Sequence, residues 1–182
     1  MTQEADSTVV QSANGKWRRG FWSLIATQFQ VAFNDNGLKN LIIFLILGMG
    51  LSQLQRERLV LEVGVLFSLP FILFSMTGGY LADRYSKRTV TIGTKIFEIA
   101  AIMVAIAGLA FQSLSLELAA VFLISTTAAF FGPSKYGMLP ELLPQGRLSW
   151  GNGVLELGTF IALILGSVTG ATMSSVFQHR QA

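Results

Sequence analysis

Residues 59–88 read LVLEVGVLFSLPFILFSMTGGYLADRYSKR. The stretch from Leu59 to Leu81 holds one charged residue, Glu62, and the next seven residues hold four: Asp83, Arg84, Lys87 and Arg88. A hydrocarbon core about 30 Å thick takes about 20 apolar residues of helix to cross. The apolar part therefore reads as a spanning helix, and the charged part as the aqueous turn that ends it. Pro70 removes one backbone donor in mid-span, so a kink is expected there, with the carbonyl of Leu66 released.

Four more segments of this kind flank it. The first runs from about Phe21 to Leu51, the third from about Thr89 to Phe111, the fourth from about Leu116 to Phe131 and the fifth from about Gly151 to Phe177. Short connections between them leave no room for a soluble domain. Composition agrees: the 182 residues are 52% hydrophobic and 13% charged, about half the charge of an ordinary soluble domain, and mean hydropathy is +0.56. The expected fold class is all-α, a polytopic transmembrane helix bundle with about five spans. Residues 1–15 are polar and are expected to form a flexible cytoplasmic tail, leaving 16–182 as the membrane domain. No signal peptide is expected, because the first apolar stretch is too long and lacks a small-residue cleavage pattern.

Residue types also exclude chemistry. There is no cysteine, which removes disulfides, thiol catalysis and thiolate metal sites. The single histidine, His179, cannot form a histidine metal cluster or a histidine-based triad within this chain. No catalytic residue, metal site or cofactor is expected, and no enzyme. The net charge of +3 points to loop bias in a membrane protein rather than to nucleic acid. Lys16, Arg18, Arg19, Arg84, Lys87, Arg88, Lys135 and Arg147 place eight basic residues on one side, and Arg56, Arg58 and Arg180 place three on the other. The positive-inside rule makes the N-terminus cytoplasmic. Trp17, Trp22 and Trp150 then fall at that interface, where aromatic belts form.

Charge at membrane depth is the best positional clue to function, since each such group costs about 2.5–3.5 kcal/mol on insertion scales. The first span contains Asn34-Asp35-Asn36-Gly37-Leu38-Lys39-Asn40. Asp35 and Lys39 are four apart, share a face and are expected to pair. Asn36 and Asn40 make a second such pair beside them. This wet stripe is expected to line a substrate or ion path. Lys95 and Glu98 repeat the idea on the third span, three apart on one face. Glu156 is expected about one turn inside the fifth span, where a helix N-terminus also favours an acid. Gly158, Ala162, Gly166, Gly170 and Ser174 follow at intervals of four, a ladder of small residues that lets a neighbouring helix approach closely.

The run from Gly78 to Arg88 resembles the signature loop of the major facilitator superfamily between its second and third helices. The match begins at Gly79 and keeps Leu81, Asp83, Arg84, Lys87 and Arg88; it departs at Ser86, where the pattern prefers glycine. The glycines are expected to permit a tight cytoplasmic turn, and Asp83 to accept from backbone N–H groups or pair with an arginine. The resemblance implies a cytoplasmic gate, in which Gly79, Asp83, Arg84, Lys87 and Arg88 latch onto a second half of the transporter.

Two further stretches narrow the resemblance. Gln28-Phe29-Gln30-Val31-Ala32-Phe33-Asn34-Asp35-Asn36 and the block Phe130-Phe131-Gly132-Pro133-Ser134-Lys135-Tyr136-Gly137, with Gly151-Asn152-Gly153-Val154-Leu155-Glu156, are similar to the lysophospholipid transporter branch. That branch includes membrane domains fused ahead of acyltransferase and acyl-carrier-protein ligase domains. The resemblance implies alternating access and movement of lysophospholipid, or another amphiphilic substrate, into the inner leaflet of a bacterial inner membrane. Asn34, Asp35, Asn36, Lys39, Lys95, Glu98 and Glu156 supply both signs of charge that a zwitterionic head group needs. Gly132, Pro133, Lys135 and Tyr136 form the family block after the fourth span. The superfamily plan has two halves of six helices. Five spans are thus expected to be part of an N-terminal half whose partner is the missing C-terminal half. The alternatives are the membrane part of a fused acyltransferase and a truncated, non-transporting scaffold. The chain carries no His-x-x-x-x-Asp motif for the former.

Overall fold

The computed structural model describes residues 2–181, with side chains described for 17–144 and 146–179. The order is α1 (Thr2–Gly48), α2 (Gln53–Arg84), α3 (Lys87–Ala110), α4 (Leu114–Leu142), a 3-10 turn (Gln145–Arg147) and α5 (Leu148–Gln181). No strand occurs among the described residues. All five helices are long and apolar enough to cross a membrane, α1 from Trp17 onward. At 1.5 Å per residue, α2 with its 32 residues is roughly 48 Å long, more than the hydrocarbon core requires.

The helix ends follow local chemistry. Ser52 and Gln55 form a reciprocal capping box at the start of α2. Arg56, counted above as a loop residue, lies on α2 and donates to the carbonyls of Met49 (3.3 Å) and Leu51 (3.4 Å), satisfying orphan acceptors after α1. Ser86 caps α3 by accepting from the Thr89 N–H at 3.1 Å, which explains the departure from glycine there: this position needs a side-chain acceptor. The turn after α3 is a Schellman motif, with Ser113 N–H on the Gly108 carbonyl (2.9 Å) and Gln112 N–H on that of Leu109 (3.4 Å). Gln112 takes the left-handed conformation at φ 52°.

Helical backbone begins at Thr2, within residues 1–15, the stretch expected to be a flexible tail; a long helix already nucleated downstream propagates at little further cost. Two sequence expectations need correction here. The glycines near the second turn make no turn. α2 runs on to Arg84, and no glycine among the described residues has a positive φ. Gly78 instead allows close packing, because a Cβ there would lie 2.9 Å from the Ala129 carbonyl oxygen on α4. Finally, α4 does not stop at Phe131 but passes through Pro133 and Pro140 to Leu142. A helix embedded in a bundle tolerates the backbone bond that each proline removes. Lys135 is therefore a helix residue, as Arg56 is.

α1 packs most extensively on α5, while α2 and α3 both pack on α4. The small-residue ladder makes the first of these contacts. A Cβ on Gly166 would collide with the Phe33 carbonyl oxygen, and one on Gly170 with that of Gly37. Two apolar clusters form the core. Phe21, Leu24, Val31, Phe131, Leu139, Leu143 and Leu155 fill the basic end; Ile42, Ile46, Val63 and Val121 fill the far end. Residues 34–40 of α1 lie between the two clusters along the chain, so the polar stripe has an apolar plug on either side. Outward faces such as Ile72 and Met76 on α2 stay bare, as a lipid-facing or helix-facing surface would.

Candidate substrate path

The stripe on α1 meets α3 through Gln30 and Asn34, which are four apart and share a face. Glu98 is the hub and is 2% exposed. Its Oε1 accepts from Gln30 Nε2 (3.1 Å) and Asn34 Nδ2 (3.0 Å), and its Oε2 from Lys95 Nζ (2.6 Å). Lys95 also donates to Gln30 Oε1 at 2.8 Å and lies over the Phe131 ring, 5.7 Å from its centroid. This network is closed: the buried carboxylate has an ammonium and two amide donors, which is what burial of a charge demands. The expected Lys95–Glu98 pair is present. Gln30 is the member that sequence reasoning left out of the path; its spacing from Asn34 was the available signal.

Asp35 and Lys39 do not pair. Lys39 Nζ donates to Asn36 Oδ1 at 3.1 Å and sits 4.4 Å from the centroid of the Phe67 ring. Spacing allowed the ion pair, but α2 offers the ammonium an aromatic face and Asn36 a nearer oxygen. Asp35 is buried at 5% exposure, and its Oδ1 has no hydrogen-bond partner. The charges that act on it are Glu98, Lys95, Lys39 and Lys135, drawn from α1, α3 and α4. Asn36 and Asn40 do not bond side chain to side chain. Asn36 Nδ2 donates to the Ala32 carbonyl (2.9 Å), and Asn40 Nδ2 to the Asn36 carbonyl (2.8 Å) and to Ser167 Oγ on α5 (3.0 Å). Asn40 thus ties α1 to α5 rather than lining a path.

A second polar group joins α4 to α5. Tyr136 donates to Glu156 Oε1 at 2.9 Å, and Lys135 Nζ lies 4.7 Å from the Tyr136 ring centroid. Glu156 stands eight residues beyond Leu148, more than two turns in rather than one, because α5 begins earlier than expected. Of the family block, Lys135 lies where it acts electrostatically on both Glu156 and Asp35. Of its other members, Gly132 faces open space, and Pro133 lies within the helix. Neighbouring Ser134 is fully buried with an unpartnered Oγ.

The gate residues are only partly assembled. Gly79 meets nothing. Asp83 is exposed and makes no ion pair among the described residues. Arg84 reaches the Tyr80 hydroxyl on its own helix, and Arg88 is exposed. Lys87 crosses Gly137 to pair with Glu141 of α4 at 2.5 Å, a clasp within this chain.

Comparison with known proteins accords with this architecture. The Major Facilitator Superfamily model matches residues 24–181. The lysophospholipid transporter LplT of Cronobacter sakazakii is 30% identical over 166 residues, covering 90% of this chain and 39% of that protein. The protein of the same name in Salmonella paratyphi B is 30% identical over 171 residues, covering 92% and 40%, as is that of Escherichia coli O1:K1. The chain thus spans about two fifths of the length of these relatives. No solved structure matches it significantly. The chain belongs to the major facilitator superfamily and is a multi-pass membrane protein.

Proposed function

From this membership of the major facilitator superfamily we propose that the chain supplies part of the path by which lysophospholipid crosses a bacterial inner membrane, without chemistry on the substrate. The N-terminus is cytoplasmic, and further helices of a two-half plan complete the path. One observation supports the reading above the others: Asp35 is buried at mid-membrane with an unpartnered oxygen, while lysines of α3 and α4 act on it without pairing. Glu98 has its donors already, so of the two acids where α1 meets α3 Asp35 is the one left to receive a ligand. A zwitterionic head group answers both signs: its ammonium meets Asp35, and its phosphate meets Lys95 or Lys135. The acyl chain lies along apolar helix faces. The relatives named as lysophospholipid transporters make this substrate class the first to try.

The test is uptake of radiolabelled lysophosphatidylethanolamine into spheroplasts that express the gene, scored as conversion to the diacyl lipid by cytoplasmic re-acylation. Conversion well above the vector control is expected. Conversion equal to the control, with the protein present in the membrane, would defeat the reading.

A further inference from the structure

Glu117 lies far from the polar stripe, in the first turn of α4, and the function proposed above does not use it. It is 5% exposed, and its Oε2 has no partner. A buried carboxylate oxygen without a donor is costly and calls for a ligand. Glu117 also lines a cavity of about 280 Å³ at the far end of the bundle. Leu45, Leu114 and Phe177 supply apolar wall, and Gln112 and Gln178 supply amides. Gln178 is already engaged with the Phe44 carbonyl at 3.0 Å. No lysine or arginine is among the residues lining the cavity.

These features select a ligand. A hard metal ion takes six or more oxygens, and one carboxylate with two amides falls short. A primary ammonium has three donors on a compact charge and suits one acid beside an amide carbonyl. The cavity is smaller than the about 300 Å³ at which sites for drug-sized molecules begin, so it takes a head group and not a whole lipid. A tail has somewhere to go. A second, largely apolar crevice of about 250 Å³ shares Leu109 with it and is lined also by Leu41, Ile106 and Asn34, the last a donor to Glu98. By the basic-residue count, the Glu117 end faces the outside.

We propose that the Glu117 cavity is an outer docking site for the ammonium of an amine-bearing lysophospholipid, its chain lying in the adjoining crevice, ahead of transfer to the mid-membrane stripe. This rests on the transport reading for its substrate class, but it can be tested apart from transport. Membranes containing the protein are treated with N,N′-dicyclohexylcarbodiimide, and the adduct at Glu117 is quantified by peptide mass spectrometry. Glu117→Gln serves as the control for assignment. The adduct is expected to form without added lysophospholipid and to fall several-fold with lysophosphatidylethanolamine. Lysophosphatidylglycerol and free ethanolamine at the same concentration are expected to leave it unchanged. Equal protection by lysophosphatidylglycerol would overturn the ammonium assignment, and equal protection by free ethanolamine would overturn the lipid one. No adduct in membranes without added lysophospholipid would show a sealed carboxyl and overturn the site altogether. Protection without any uptake of the same lipid would keep the site and remove the transport reading; uptake without protection would do the reverse.

Discussion

Glu98 and Asp35 are buried to nearly the same degree, 2% and 5%, and differ in everything else. Glu98 has three donors and holds α1 to α3. Removing one member of a buried pair costs about 3–5 kcal/mol because its partner is stranded, so Glu98→Ala is expected to unfold at lower temperature in detergent than the parent. Asp35 loses no hydrogen bond at Oδ1 on changing to Asn, so its variant is expected to remain as stable as the parent. Lys39→Ala is expected to reduce uptake less than Asp35→Asn does, since Lys39 is held by Asn36 and Phe67 and not by Asp35; equal losses would restore the ion pair to importance. The charges themselves were legible from sequence. Their partners were not, because a spacing of four permits a pair but does not choose between it and an aromatic ring on another helix.

At the scale of the helix, caps and small residues decide. Ser86 shows how a family position can change its residue and keep its role by another route, a side-chain cap in place of a flexible turn. The ladder on α5 was legible as a packing surface because its period of four leaves one meaning in a membrane. What it packs against was not, since Gly37 on α1 shows no such repeat around it. Gly170→Leu would drive a branched side chain into the Gly37 carbonyl and the Leu41 backbone. It is expected to separate α1 from α5 and to abolish accumulation of folded protein, seen as loss of a monodisperse peak in detergent. A folded Gly170→Leu variant would show that the ladder is not a close contact. The end of α4 was not legible from its apolar run, which fades after Phe131, whereas the helix continues through Pro133 and Pro140 to Leu142 because packing in a bundle tolerates the backbone bonds they remove.

For the whole molecule, five spans were legible from length and composition alone, and the pairing of α1 with α5 and of α2 and α3 with α4 was not. Hydropathy fixes how many helices cross but says nothing of which face meets which. Orientation came from basic residues, and the chain offers a clean check because it has no cysteine. Single cysteines at Gly146 and Gln112 lie on opposite sides of the account. A membrane-impermeant maleimide added to intact cells is expected to label Gln112→Cys and to label Gly146→Cys only after permeabilisation. The reverse pattern would invert the protein.

Lysophosphatidylethanolamine uptake by Asp35→Asn, compared with the parent at equal membrane levels, tests the central claim most directly. The account predicts a loss of tenfold or more, about 1.4 kcal/mol of lost interaction with the head group, with stability unchanged. Uptake equal to the parent would contradict it, and the acid left without a partner would have no part in moving the lipid.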